Sequence, residues 1–375
     1  MKHLPRFLSP VTLAMVLISI AVPVAAQHVV APAPPRYADV VEQARTLVQH
    51  DLMEKQYPGI AIAVSVDGET VWSEGFGYAD LEHRVPIWPT TKFRIGSISK
   101  PLTAAAVAQL YAQGRLDLDA PVQQYVPSFP EKEYPITTRQ LGGHLAGIRH
   151  YRGLEFLIRD PYDSVEKALT IFAGDSLLHE PGTTYAYSSY GWNLISAVVE
   201  GASGQSFLDY MREHVFERLG MHHTVADHVD SLIYQRAGFY RRDQDGHLLN
   251  ATYVDNSYKW AGGGFLSTTE DLLRFANAHL GDDFLSEEAR AVLFTEQHTR
   301  DGEGVGYGFG WQIRTDDQGR RYLRHSGGSM GGTSLLMMQP DARVVVVSLI
   351  NLSSANLSVV REVLRLFVEA ASNAP

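Results

Sequence analysis

Apolar positions follow two different periods along this chain. From Ile60 to Val66 they are continuous except for Ser65, Asp67-Gly68 intervenes, and Glu69–Gly75 resumes as a second β-rich run. Two such runs around a favoured two-residue turn predict a β-hairpin. The far end mirrors it, with apolar runs of strand length at Thr333–Met338 and Arg343–Asn351 joined through Gln339-Pro340-Asp341-Ala342. Helical spacing instead marks Tyr37–Lys55, Leu357–Ala371 and the alanine- and leucine-rich Pro101–Gln113, which ends at Gly114. Between the two strand-rich ends, residues 100–300 are mostly helical patterns and long loops. This order predicts an α+β fold. Its antiparallel sheet is built from the N- and C-terminal segments and flanked by helices, and a mostly helical subdomain is inserted at roughly 110–300. No internal repeat is visible.

The start of the chain follows neither period. Lys2 and Arg6 stand without an acid, Val11 to Val22 is uncharged throughout, and Val24-Ala25-Ala26 precedes Gln27. Basic, apolar and small-residue regions in that order predict a cleaved signal peptide at 1–26, with a retained anchor as the alternative. The apolar run is short for a membrane span, so no stable span is expected after cleavage. The proline-rich stretch 27–36 reads as a flexible leader, and residues 37–375 as the folded domain. Composition is ordinary for a globular chain of 375 residues, with a formal charge of −10. That charge argues against binding a nucleic-acid backbone. Cysteine is absent. Disulfides, a thiol nucleophile and cysteine metal sites are thereby excluded. An exported protein without disulfides suits a bacterial periplasm or exterior.

Candidate chemistry begins at Ser97-Ile98-Ser99-Lys100, immediately before Pro101. Pro101 suits a first helical turn, where its missing N–H costs little. Serine and lysine three apart on such a turn share a face. A serine hydroxyl is a weak nucleophile until a neighbouring base accepts its proton. Lysine can be that base only if burial or nearby positive charge lowers its pKa. The helix N-terminus adds N–H groups and positive potential for an oxyanion. Four letters alone are weak, since a helix cap followed by a solvated lysine looks the same. Two further stretches fall in order behind them. One is Pro181-Gly182-Thr183-Thr184-Tyr185-Ala186-Tyr187-Ser188-Ser189-Tyr190-Gly191, leading into a helical pattern. The other is Arg324-His325-Ser326-Gly327-Gly328, at the entrance to the strand expected at Thr333–Met338. Small residues there let a substrate approach the sheet edge and a backbone N–H point at it.

Rival sites are weaker. Gly327-Gly328-Ser329-Met330-Gly331 matches a nucleophile elbow, but that fold needs a histidine after the serine, and none follows His325. His222, His223 and His228 with Asp227 lack metal-site spacing and read as a solvated loop. His144 and His150 read as structural loop residues, while Tyr307 and Trp311 fit either a core or a cleft wall.

With its three stretches taken together, the chain resembles the serine β-lactamase and penicillin-binding protein superfamily, and most of all its class C-related branch, which includes esterases and D-amino-acid peptidases. The resemblance covers about residues 40–370. It extends to the looser phrases His144–Tyr151, Arg218–Met221 and Ala261–Thr268. It implies that Ser97 is the acylated nucleophile, that Lys100 shares in proton transfer, and that Tyr187 is base toward Ser97 or acid toward the leaving group. Tyr185 and Tyr190 are close enough to compete for that last assignment, though the Pro181-Gly182 lead-in favours Tyr187. His325, Ser326 and Gly327 would form the third, substrate-binding motif, and the backbone N–H groups of Ser97 and Gly328 the oxyanion hole. Two departures stand out. Tyr187-Ser188-Ser189 replaces the usual Tyr-x-Asn, and His325, largely neutral near pH 7, replaces a frequent lysine.

The resemblance therefore implies an exported serine hydrolase acting through an acyl-enzyme on amide or ester bonds. A peptidase or esterase is favoured over a dedicated β-lactamase. The implied partner is a small molecule or short peptide, cell-wall peptides included, with no cofactor or metal. The alternative is a non-catalytic penicillin-binding-like protein that captures such peptides or a protein partner. Oligomeric state is not legible.

Overall fold

The computed structural model of the protein describes residues 28–29 and 33–372. The expected signal peptide at 1–26 lies outside them. The main sheet is eight-stranded and antiparallel. Its strands are β1 (His28–Val29), β2 (Gly59–Val66), β3 (Glu69–Asp80), β4 (Val85–Pro86), β5 (Gln312–Thr315), β6 (Arg321–Ser329), β7 (Gly332–Gln339) and β8 (Val344–Ile350). Along the sheet they run β1-β3-β2-β8-β7-β6-β5, with β4 paired to β3. The two ends of the chain meet where β2 pairs with β8, Ile60 opposite Ile350 and Val66 opposite Val344. The two predicted hairpins thus lie side by side as one sheet. At the first, Asp67 and Gly68 both adopt positive φ, 52° and 84°, as a tight two-residue turn requires.

Alternation along the central strands divides the core. Ile60, Ile62 and Val64 of β2 and Val344, Val346 and Ile350 of β8 pack with helices α1 (Ala38–Lys55) and α5 (Ser358–Ser372). Ala61 and Ala63, with Val345, Val347 and Leu349, face the helical half. Side chains of a strand point alternately to opposite faces, so apolar residues at every position mean a strand covered on both. Ser65, the one polar residue of the run, donates its hydroxyl to Asn277 Oδ1 at 2.8 Å on α4 (Thr269–Leu280). On the outer face Arg45 of α1 holds the buried carboxylate of Glu74 at 2.9 Å, and Trp72 donates to it at 2.8 Å.

The stretch between β4 and β5 joins helices through long loops, and its centre is α2 (Ser99–Ala112), buried along almost its whole length. Alanines at 104–106 and 108 let neighbours approach closely. A Cβ on Gly310 would lie 2.7 Å from Ala104 and 2.9 Å from Trp192. Helix α3 (Ser189–Ser203) packs beside it, capped by the Ser188 hydroxyl on the Gly191 N–H at 3.0 Å. The segment also holds short strands that periodicity does not reveal: Phe265–Ser267 pairs with Phe93–Arg94 on one side and Val225–Ala226 on the other, and Tyr240–Arg242 pairs with Leu248–Asn250. Two or three residues are too few to display a period. Within the segment read as a leader, His28–Val29 pairs with β3, and Pro35–Tyr37 is a 3₁₀ turn.

One difference bears on the site. Arg324–Gly328 forms part of strand β6 itself, joined to β7 by a turn at Met330-Gly331. Within it Gly327 answers to close backbone approach and not to strand propensity, whereas a Cβ on Gly328 would meet nothing within 4 Å. A Cβ on Gly327 would sit 1.9 Å from the Ile95 carbonyl oxygen. Gly327→Ala should therefore displace backbone against backbone and destabilise the fold by about 1–3 kcal/mol. A urea unfolding midpoint equal to wild type would contradict this packing.

Candidate active site

Ser97 lies in the 3₁₀ turn Gly96–Ile98 that runs into α2. Gly96 takes φ 50°, and a Cβ there would meet the Gly328 backbone at 2.6 Å. This places the turn directly against β6. Beyond Arg324 the side of β6 away from β7 has no strand partner among the described residues. The free edge at 325–329 is thus what faces Ser97.

Three side chains converge. Lys100 Nζ is 2.9 Å from Ser97 Oγ, 3.1 Å from Ser189 Oγ and 2.7 Å from the Gly262 carbonyl. Tyr187 donates its phenolic hydrogen to Ser97 Oγ at 3.0 Å. Neighbouring tyrosines are engaged otherwise. Tyr190 donates to Glu155 at 2.9 Å, and Tyr185 is partly exposed with its ring 6.2 Å from that of Tyr307. Ser189, at the usual asparagine position, holds the lysine.

Burial sets the electrostatics. Lys100 is wholly enclosed, and its pKa is pulled well below the ordinary lysine value by burial and then by the positive charge of Lys259. The Tyr187 phenol is driven up by burial, which its bond to Ser97 only partly offsets, and so stays protonated. Such a set can accept the serine proton at Lys100 while Tyr187 keeps one to give.

Histidines position the second stretch. The Ser188 N–H donates to His144 Nδ1 and the Ser189 N–H to His150 Nδ1, both at 3.1 Å. The His144 ring lies 4.3 Å from that of Tyr187. His325 is buried. Its Nδ1 faces the Ser326 carbonyl at 2.7 Å and its Nε2 the Tyr307 hydroxyl at 2.8 Å. A carbonyl only accepts, so these partners assign the proton to Nδ1 and leave Nε2 accepting from Tyr307. Both ring nitrogens are then occupied, and the ring is neutral. Burial, followed by the charge of Lys100, lowers its pKa to about 3. Tyr307 thus belongs to the site's support, whereas Trp311 is core, stacked on Phe275 at 6.1 Å. Asp227, read as part of a solvated loop, is instead buried and paired with Arg94 at 2.7 Å. Ser329 ends a strand followed by another strand, which is not an elbow.

The site opens into a cavity of about 370 Å³ shared by Ser97, Tyr187, Ser189 and Gly328, with Tyr151, Phe156 and Lys259 also on its wall. Lys259 escaped the sequence reading. A lone lysine in Ser257-Tyr258-Lys259-Trp260 carries no pattern, and its position before the Ala261-Gly262-Gly263-Gly264 phrase was the one available signal.

Residues 44–368 match the sequence profile of the family described as Beta-lactamase. The mitochondrial serine β-lactamase-like protein of Homo sapiens is 36% identical, over 83% of this chain and 74% of that protein. A penicillin-binding protein of Bacillus subtilis (strain 168) is 28% identical, over 79% of this chain and 68% of its own. In fold the chain is similar to the octameric penicillin-binding protein homologue from Pyrococcus abyssi, with TM-score 0.76 and 27% identity over 88% of this chain and 77% of that one.

The buried histidines make stability depend on pH. In an unfolded chain such rings bind a proton near about pH 6.5. In the folded chain the buried His279 does so only near 4 and the buried His325 near 3. As pH falls, the unfolded state takes up protons first, so stability present above about 6.5 is lost progressively toward 4. The urea midpoint should decline steadily from about pH 7 to about pH 4.5, beginning in the histidine range. A midpoint that stays flat until the carboxylate range would show these rings to be solvated.

Proposed function

The chain belongs to the β-lactamase family, and we propose that it is an exported serine hydrolase that cleaves amide or ester bonds through an acyl-enzyme on Ser97. The observation that carries this reading is a single serine hydroxyl within hydrogen-bond reach of both an enclosed lysine amine and a protonated phenol. Family relationship supports hydrolysis in general. The Ser97 constellation supports the particular route.

In that route the neutral Lys100 amine accepts the Ser97 proton as Oγ bonds to the carbonyl carbon. Its two N–H groups meanwhile stay on Ser189 and Gly262. Negative charge collecting on the carbonyl oxygen is met by the backbone N–H groups of Ser97 and Gly328, at the junction of the helix start and the β6 edge. When the C–N or C–O bond breaks, Tyr187 gives its proton to the leaving atom and regains one from the Lys100 ammonium. Water then attacks the ester, its proton passes to Lys100, and the C–Oγ bond breaks as Ser97 recovers its hydrogen. Charges and protons return to their starting positions. His325, buried and fixed by Tyr307, supports the β6 edge as a neutral ring, and Ser326 and Gly327 continue that edge toward Gly328 on the cavity wall.

Ser189 in place of asparagine removes an amide that could hold a β-lactam or peptide side chain. This supports a peptidase or esterase over a dedicated β-lactamase. Export rests on the basic-then-apolar start at residues 1–26, read as a signal ahead of the domain at 37–375. A cavity of about 370 Å³ supports small molecules or short peptides, cell-wall peptides among them, as the substrates in this reading.

A fluorophosphonate probe should label Ser97, identified by peptide mapping, and Ser97→Ala should lose at least about a thousandfold in turnover of a p-nitrophenyl ester while still folding. Tyr187→Phe should lose about 10²–10⁴-fold. Undiminished hydrolysis by the alanine variant would remove Ser97 from the mechanism. Wild type that is neither labelled nor active, yet shifts in melting temperature with a cell-wall peptide, would identify a binding protein instead.

A further inference from the structure

Lys259 is 2% exposed, and its ammonium lies 4.3 Å from the Phe156 ring, 5.2 Å from Tyr258 and 5.7 Å from Tyr151. Among the described residues it has no hydrogen-bond or ion-pair partner. The carboxylates that could serve are committed elsewhere. Asp227 is held by Arg94 at 2.7 Å, Asn256 at 2.8 Å and Arg236 at 3.4 Å. Glu155 is held by Arg149 and Tyr190. Aromatic faces soften the loss of water around a cation but do not replace a counter-ion. Among the described residues no carboxylate lines the Ser97 cavity. The other amine beside it, Lys100, already has partners in Ser97, Ser189 and Gly262. His150, also on the wall, is neutral near pH 7 because burial and the charges of Lys100 and Lys259 disfavour its proton.

Resting on the serine-hydrolase reading, we propose that the Lys259 ammonium is a specificity determinant that receives an anionic group of the substrate, so that the acyl donors this site prefers are small amides or esters bearing a free carboxylate. An arriving carboxylate supplies the one partner the cavity lacks. A substrate ammonium would find no acid there and would meet the Lys259 ammonium instead. The same inference disfavours substrates that need a free amine near the scissile bond. Burial and the charge of Arg94 lower the Lys259 pKa to about 7, against the pull of Asp227, and a bound anion reverses that tendency.

The test compares matched esters on the intact protein at neutral pH. p-Nitrophenyl hydrogen adipate carries its carboxylate on the acyl side, and 4-acetoxybenzoate carries it on the leaving group. Each is paired with its methyl ester, which has nearly the same shape without the charge. Wild type should favour the carboxylate member of at least one pair by about tenfold or more in kcat/KM, the gain lying in KM. Lys259→Met, and independently Lys259→Gln, should erase that ratio. Any effect of Lys259 on the Lys100 pKa falls on both members and cancels. Turnover of the methyl esters with no carboxylate preference in wild type overturns the Lys259 assignment and leaves the serine-hydrolase reading standing. A preference that survives both substitutions also overturns it. Absence of turnover on all four esters, with Ser97 unlabelled by fluorophosphonate, overturns both.

Discussion

An amine enclosed at the start of a buried helix is the constraint on which the rest of this structure depends. Lys100 is shut off from bulk solvent, and among the described residues no carboxylate pairs with it; it has two hydroxyls and a carbonyl. Those acceptors come from three places in the chain: the 3₁₀ turn, the N-terminus of α3, and the glycine phrase at 262. Each must approach within hydrogen-bond distance for the burial to be tolerated. The amine therefore enforces the convergence, and in the mechanism we propose that convergence activates the Ser97 hydroxyl.

Close approach explains the glycines around it. Gly96 and Gly327 stand where the nucleophile turn presses against β6, and a methyl group at either would collide with backbone. The sheet supplies rigidity to that edge, since β7 and β8 behind it are covered on both faces. Neutral histidines extend the same logic. His144 and His150 accept backbone N–H groups and His325 accepts from Tyr307, so in a region already holding two lysines these rings orient groups without adding charge.

Much of this was legible in the sequence. Strong periodicity revealed the paired hairpins and the helices at both ends, and burial on both sides explains why β2 and β8 show no polar alternation. Ser97 and Lys100 were readable because three residues along a helical turn is a short-range relation. Tyr187 was readable only through resemblance, and its hydroxyl singles it out from Tyr185 and Tyr190. What escaped depends on distant packing. Nothing local distinguishes Lys259 from a solvated lysine, the tie of Tyr307 to His325 crosses two segments, and the buried Arg94–Asp227 pair joins residues far apart in sequence. The strand character of Arg324–Gly328 was hidden because Gly327, a poor strand former, answers to the Ile95 carbonyl packed against it.

The protonation state of Lys100 tests the account most directly. Wild-type protein labelled with ¹³C at lysine Cε can be titrated by NMR, with Lys100→Met identifying its resonance. The account predicts that this one signal moves well below the exposed lysines, which titrate near about 10.4. A Lys100 resonance that titrates together with the exposed lysines would mean a permanent ammonium beside Ser97, unable to accept its proton, and would contradict the account.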